Sequence, residues 1–136
     1  MRKVFVSYSS EDRESVAELV GELRKHEDIR VWFDEDEILP GDDFLHKMKE
    51  GIEFCDKFII CLSPAFDRKP PQSWVRQELR MAILSERESG TRIIIPVRLK
   101  RGGGIPVELG TRAYADISTP QRWEKNFPRL VRAIRR

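Results

Sequence analysis

Apolar residues fall along this chain in short runs and helical stripes that alternate. Lys3 to Tyr8 is an apolar run of β-branched and aromatic residues, which predicts a first strand. Ser10 is placed to cap a following helix, with Glu11 and Asp12 in its first turn. Val16, Leu19, Val20 and Leu23 then mark one helical face. Arg30 to Phe33 predicts a second strand ending at Asp34. An acidic loop, Glu35 to Gly41, closes on Pro40-Gly41, a strong turn signal. Asp42 or Asp43 is expected to cap a second helix with Phe44, Met48 and Ile52 on its apolar side. Lys57 to Leu62 is almost wholly apolar, as a strand buried on both faces of a parallel sheet should be.

The second half continues the alternation. A loop with Pro64, Pro70 and Pro71 leads to a helix from Ser73 to about Glu88, which Gly90 can end. Val75, Leu79, Ala82 and Ile83 form its apolar stripe. Ile93 to Val97 predicts a fourth strand. Pro96 cannot donate to a ladder, which puts this strand near an edge or a bulge. Arg101-Gly102-Gly103-Gly104 reads as a flexible loop, and Ala113 to Asp116 as a weak fifth strand. Thr119-Pro120 opens the last helical segment. Pro128 inside it predicts a short turn followed by a main helix capped by Asn126. Alternating strands and helices imply a doubly wound parallel sheet with helices on both faces. Five strands favour the flavodoxin-like α/β order 2-1-3-4-5. Ligands bind such sheets outside the carboxyl ends of the strands, at the β1/β3 switch point. Tyr8 to Asp12, Asp34 to Asp43, and Ser63 through the first turns of the Ser73 helix all reach that edge.

Composition narrows the picture. The 136 residues suit one domain, 1–136, with a single core and no internal repeat or linker. The 25 basic and 23 acidic residues leave a net charge of +2, which builds no field for nucleic acid or an anionic membrane. No apolar run approaches a membrane span, and the start enters a strand directly, with no signal region. Two cysteines, Cys55 and the core-like Cys61, point to a reducing, cytoplasmic setting. Two isolated histidines, His26 and His46, with those cysteines make no ligand set, so no metal is expected. No Gly-x-Gly-x-x-Gly follows the first strand and no Walker loop is present. A phosphorelay receiver shares this fold but needs a phosphate-accepting aspartate at the end of the third strand. Here that strand ends Cys61-Leu62-Ser63.

The candidate chemistry centres on Glu78. At about 3.6 residues per turn it falls on the margin of the apolar stripe, on the side of Trp74. A half-desolvated carboxylate at such a border is chemically tunable. The bland reading of Glu78 alone is a surface glutamate, that of Trp74 a packing residue, and that of Asp34 a turn organiser.

Four boxes, in order, resemble Toll/interleukin-1 receptor (TIR) domains of the bacterial type. Phe5-Val6-Ser7-Tyr8-Ser9-Ser10-Glu11-Asp12 is similar to their first signature box. Val31-Trp32-Phe33-Asp34 with Ile38-Leu39-Pro40-Gly41-Asp42 resembles the second strand and the long loop after it. Phe58 to Pro64 resembles the third strand with its serine-proline ending. Ser73-Trp74 followed by Glu78-Leu79 resembles the helix carrying the catalytic glutamate of NAD-cleaving members. The resemblance covers nearly the whole chain, and since such domains are commonly fused to sensors, it allows for the chain being a piece of a longer protein.

The resemblance implies cleavage of NAD+ at its nicotinamide–ribose bond, to nicotinamide plus ADP-ribose or a cyclic isomer. Glu78 is the implied catalytic residue, and Ser9, Ser10, Asp34, Leu39 and Trp74 are the implied substrate contacts. Some catalytic relatives carry arginines in the first loop where this chain has Ser9 and Ser10, and some place a polar residue at the position of Leu39. Phe44 reads either as a substrate-side aromatic or as core. NAD+ is substrate, so no cofactor is implied. Other TIR domains are the implied partners, through a self-association loop containing Pro40 and Gly41, and no nucleic acid or membrane contact is implied. The expected setting is bacterial signalling or anti-phage defence. A carboxylate about 4 Å from an oxocarbenium-like ribose attracts it by about 4 kcal/mol at an effective dielectric near 20. If realised in the transition state, that is worth roughly a thousandfold in rate. The alternative is a non-catalytic scaffold that only recruits other TIR domains, for which neither Glu78 nor Trp74 is needed.

Overall fold

The computed structural model describes residues 1–33 and 39–136. Five parallel strands form one sheet in the order β2-β1-β3-β4-β5. They are β1 (Arg2–Ser7), β2 (Ile29–Trp32), β3 (Lys57–Leu62), β4 (Ile94–Arg98) and β5 (Ala115–Asp116). The helices are α1 (Arg13–Leu23), α2 (Phe44–Phe54), α3 (Pro64–Asp67), α4 (Trp74–Ser89) and α5 (Pro120–Arg135). This is the flavodoxin-like arrangement that the alternation of elements implies.

Strand periodicity divides the core in two. Val4, Val6, Ile59, Cys61 and Val97 pack with Leu19, Leu23, Leu130 and Ile134 of α1 and α5. Phe5, Phe58, Ile60 and Leu62 pack with Met48, Ile52, Val75 and Leu79 of α2 and α4. Ser7, two residues after Phe5, therefore belongs to the α4 side of the sheet. No described helix is long and apolar enough to cross a membrane.

Several local expectations are corrected. Ser10 does not cap α1: Ser10–Asp12 forms a 3-10 turn, α1 starts at Arg13, and the Ser10 hydroxyl donates to Glu11 at 2.7 Å. The last helix is continuous through Pro128. Thr119 caps it, accepting from the Arg122 amide at 3.2 Å, while Asn126 donates to the Asp116 carbonyl at 2.8 Å and tethers the helix to β5. A proline costs a helix interior about 3 kcal/mol. Burial of Leu130, Val131 and Ile134 beyond it, with Trp123 and Phe127 packed before it, outweighs that cost.

The glycine triplet is tied down rather than flexible. A Cβ on Gly103 would lie 2.7 Å from the Ser63 carbonyl carbon, and the Gly104 amide donates to Asp67 at 3.0 Å. Pro96 pairs in register with Ile60 of β3, while β5 reaches only Val97 and Arg98. Its missing N–H thus falls where the sheet already has an edge. Asp43, accepting from the His46 amide, caps α2, and Gly90 ends α4 at φ 72°.

Candidate functional site

The site grows from the carboxyl ends of β1 and β3 and the first turn of α4. Ser7 is the last residue of β1, and its side chain reaches α4. Its hydroxyl donates to Glu78 Oε1 at 2.6 Å, with Ser7 1% and Glu78 8% exposed. A carboxylate survives such burial only when hydrogen-bonded. The short contact also sets its orientation.

One turn earlier on the same helix, Trp74 is 50% exposed and its ring lies 4.7 Å from that of Phe44. Glu78, Trp74, Phe44, Ser9 and Ser10 line one cavity of about 440 Å³, with Tyr8, Arg13, Lys69 and Ser73 among its other walls. That volume lies in the range of small-molecule sites. An exposed tryptophan above a buried carboxylate provides an aromatic face and a negative charge in one cleft, which suits a cationic ring or a cation that develops during reaction.

Of the residues singled out from the sequence, the structure brings Glu78, Trp74, Ser9 and Ser10 together. Leu39 is not among the residues lining this cavity. It is 66% exposed, in a turn where its amide donates to Asp42 at 2.9 Å. Asp34 lies outside the described residues, as does the acidic loop through Ile38. Pro40 and Gly41 sit in the exposed turn before α2, with Gly41 at φ 95°. Phe44, ambiguous by sequence, joins the cavity wall as well as the core beneath α2.

Sequence reasoning missed the cations. With serines at 9 and 10 the first loop carries no arginine, but Arg13, at the start of α1, lines the cavity and donates to the Tyr8 hydroxyl at 2.8 Å. Its guanidinium lies 5.0 Å from the Phe33 ring centroid. Lys69, from the loop after α3, lies 2.7 Å from Glu11. The spacing of Arg13 four residues after Ser9 was a usable signal; for Lys69 there was none.

Beneath the first loop lies a polar anchor. Asp12 is 1% exposed, accepts a short hydrogen bond from the Ser63 hydroxyl, and pairs with Lys100 at 3.0 Å. Ser63 in turn caps α3 through the Phe66 amide, and the Asp12 amide donates to the Ser9 carbonyl at 2.8 Å. The turn bearing Ser9 and Ser10 is thereby fixed to the ends of β3 and β4. Burial, reinforced by the Asp12 charge, pushes the Cys61 thiol far above its usual value, so it is inert core. Among the described residues no cluster suited to a metal ion occurs.

Comparison with known proteins bears on this geometry. A 2′ cyclic ADP-D-ribose synthase from Bacteroides thetaiotaomicron is 29% identical over 93 residues, 68% of this chain and 31% of that protein. An NAD(+) hydrolase from Theionarchaea archaeon (strain DG-70-1) is 30% identical over 94 residues, 69% of this chain and 27% of that one. The chain spans about a third of the length of the curated relatives it matches. Among solved structures, the TIR domain of a Toll-related receptor from Hydra magnipapillata superposes with a TM-score of 0.79. It covers 98% of both chains at 25% identity. A prokaryotic SEFIR domain, at 20% identity and a TM-score of 0.73 over 98% of this chain and 99% of its own, shares the fold. The family model described as TIR domain matches residues 4–131, and the chain belongs to that family.

Proposed function

We propose that this TIR domain cleaves NAD+ at the nicotinamide–ribose bond. The observation that carries the reading is the buried Glu78 carboxylate, aimed by Ser7 and set beside exposed Trp74 in a cavity large enough for a nucleotide. The names of relatives similar over about two thirds of the chain, an NAD(+) hydrolase and a 2′ cyclic ADP-D-ribose synthase, support it.

In this reading the pyridinium ring stacks against Trp74 and the adjoining ribose lies over Glu78. The C–N glycosidic bond breaks with its electron pair leaving on the ring nitrogen, so nicotinamide departs neutral. The positive charge passes to the ribose, where the carboxylate attracts it. Water captures the cation to give ADP-ribose, or a hydroxyl of the same molecule captures it to give a cyclic isomer, and either route releases one proton. No cofactor takes part, because NAD+ is consumed as substrate.

Self-association completes the picture. Trp74 leaves half its surface in solvent, and the turn with Pro40 and Gly41 is exposed nearby in sequence to Phe44. A second TIR domain packed there would shield the cation from water, where its attraction to Glu78 strengthens. The setting we assign is bacterial signalling or defence. The test is nicotinamide release by concentrated protein, with and without a crowding agent, for wild type and Glu78→Ala. The variant should lose turnover by roughly a thousandfold while still unfolding cooperatively in a thermal melt. Wild-type turnover in the variant would sink the assignment. Partner-dependent oligomers with no nicotinamide from wild type would favour the scaffold.

A further inference from the structure

The cavity carries polar features that the chemistry at Glu78 leaves unused. Ser9 is 1% exposed and lines the cavity, yet its hydroxyl has no hydrogen-bond partner among the described residues. The Ser73 hydroxyl, also on the cavity wall, is likewise buried and unpartnered, and it does not cap α4. The first amides of α4, a helix of 16 residues, have no acceptor within the helix, and Trp74 and Val75 line the same cavity. Lys69 stands on the wall too, with its ammonium 2.7 Å from Glu11, whose carboxylate also accepts from Ser10 at 2.7 Å. Buried hydroxyls without partners, a helix N-terminus and an ammonium therefore converge on one volume. All of them are donors.

That convergence selects an anion with oxygens on several sides. A carboxylate offers two coplanar oxygens, whereas a phosphate presents oxygens to donors arriving from three chain segments. Five residues separate Ser73 from Glu78, about 7.5 Å along the helix axis, roughly the span of a ribose and its 5′ carbon. We propose that Lys69, Ser9, Ser73 and the N-terminus of α4 recognise the diphosphate of the nucleotide substrate. Glu11 is the built-in competitor, holding Lys69 until a phosphate displaces it. The identity of the phosphate's bearer rests on the NAD-cleaving reading, but the anion site itself does not.

Glu11 fits the role of an exchangeable stand-in. The Lys69 contact and the Ser10 hydroxyl hold its carboxyl down at about 2, so it stays ionised across the working range of the protein. Its side chain is 52% exposed, against 22% for Lys69, so Glu11 can swing into solvent while Lys69 stays at the wall. The same charge repels an approaching anion, so its removal both frees Lys69 and lifts that repulsion.

The site is tested with inorganic pyrophosphate as probe, titrated at low salt and followed by amide chemical shifts and calorimetry. Wild type should bind with shifts at Ser9, Ser73 and Trp74. Glu11→Gln should bind about two- to five-fold more tightly, the scale of an exposed ion pair. Lys69→Ala should bind at least about tenfold more weakly. Glu11 is exposed and Lys69 half-buried, and thermal melts confirm that both variants fold. Unchanged or weaker binding in Glu11→Gln, or full affinity in Lys69→Ala, overturns the proposal. Kinetics separate the sources of phosphate. Lys69→Ala should raise KM for NAD+ and leave that for nicotinamide riboside, which carries no phosphate, unaltered. A matching rise for nicotinamide riboside overturns the assignment. Pyrophosphate binding in the expected order without nicotinamide release refutes NAD cleavage and upholds the anion site.

Discussion

Replacing Ser7 with alanine isolates what orients Glu78. The Ser7 hydroxyl and Glu78 Oε1 are 2.6 Å apart, and both residues are buried. A hydrogen bond to a charged group contributes about 1.5–3 kcal/mol, and an alanine methyl leaves the carboxylate oxygen without that donor. Unfolding entropy of about 2.1 cal/mol/K per residue gives about 0.29 kcal/mol/K for a chain of 136 residues. A loss of about 2 kcal/mol should therefore lower the thermal midpoint by about 7 °C. Ser7 does not line the cavity, so substrate affinity should persist while the carboxylate loses its aim. On the NAD-cleaving reading, kcat for nicotinamide release should fall at least about tenfold with KM little changed. Glu78→Gln serves as the control. It is nearly isosteric, uncharged and keeps an oxygen that can accept from Ser7, so it should lose turnover at a little-changed midpoint. A Ser7→Ala protein with wild-type kcat and midpoint would refute the view that Ser7 positions Glu78.

Other predictions concern the scaffold. Arg112 grips Glu86 with both terminal guanidinium nitrogens, at 2.8 and 3.0 Å, while the Ile93 and Ile94 amides donate to the same carboxylate. Burial pushes the Glu86 carboxyl up, but Arg112 and the two amides outweigh it and hold the group below its usual value. A depressed carboxyl stabilises the fold above its unfolded-state value and loses that contribution as pH falls through the folded one. The midpoint should thus drop as pH falls below the carboxyl's unfolded-state value, and Glu86→Gln should flatten part of that slope while costing about 1–3 kcal/mol at neutral pH. A Glu86→Gln acid profile parallel to wild type would contradict this. Pro128→Ala should stabilise by about 1–3 kcal/mol in thermal melts, since Pro128 is exposed and an alanine restores a helix amide; a lower midpoint would contradict this. Gly103→Ala should destabilise by about 1–3 kcal/mol, because its methyl would meet Ser63 main chain at 2.7–3.0 Å, and an unchanged melt would contradict that close approach.

What could be read from the chain was what short-range patterning controls. The apolar run at 58–62 announced a central strand, and the stripe of Val75, Leu79 and Ala82 announced α4 with Glu78 at its margin. Those two facts and the parallel topology suffice to bring Glu78 to the sheet's carboxyl edge. Long-range packing decided the rest. Pro128 argued locally for a break, but α5 buries apolar residues on both sides of it, and tertiary burial overrode the local cost. Gly103 looked like slack in a loop because the Ser63 backbone it packs against is 40 positions away in sequence. Lys69 lies in a proline-bounded loop without periodicity, and only the folded path of that loop carries it to the cavity wall.

The places where local rules fail cluster at one edge of the molecule. Elsewhere, carboxylates such as Glu86 and Asp116 are held by arginines and amides, and large apolar side chains fill the core. At the carboxyl ends of β1 and β3 the chain instead buries Glu78 and leaves the Ser9 and Ser73 hydroxyls unpartnered among the described residues. It also holds Trp74 half in solvent. Each of these choices costs stability, and each has a simple apolar or capped alternative. Selection for folding alone removes such costs one at a time; it does not gather them around one 440 Å³ cavity. The Asp12–Ser63–Lys100 anchor immediately below is, by contrast, fully engaged and ties the first loop to β3 and β4. An under-satisfied surface on a rigid polar base suits preorganisation for a ligand, because the ligand then supplies the missing partners while the base beneath stays fixed.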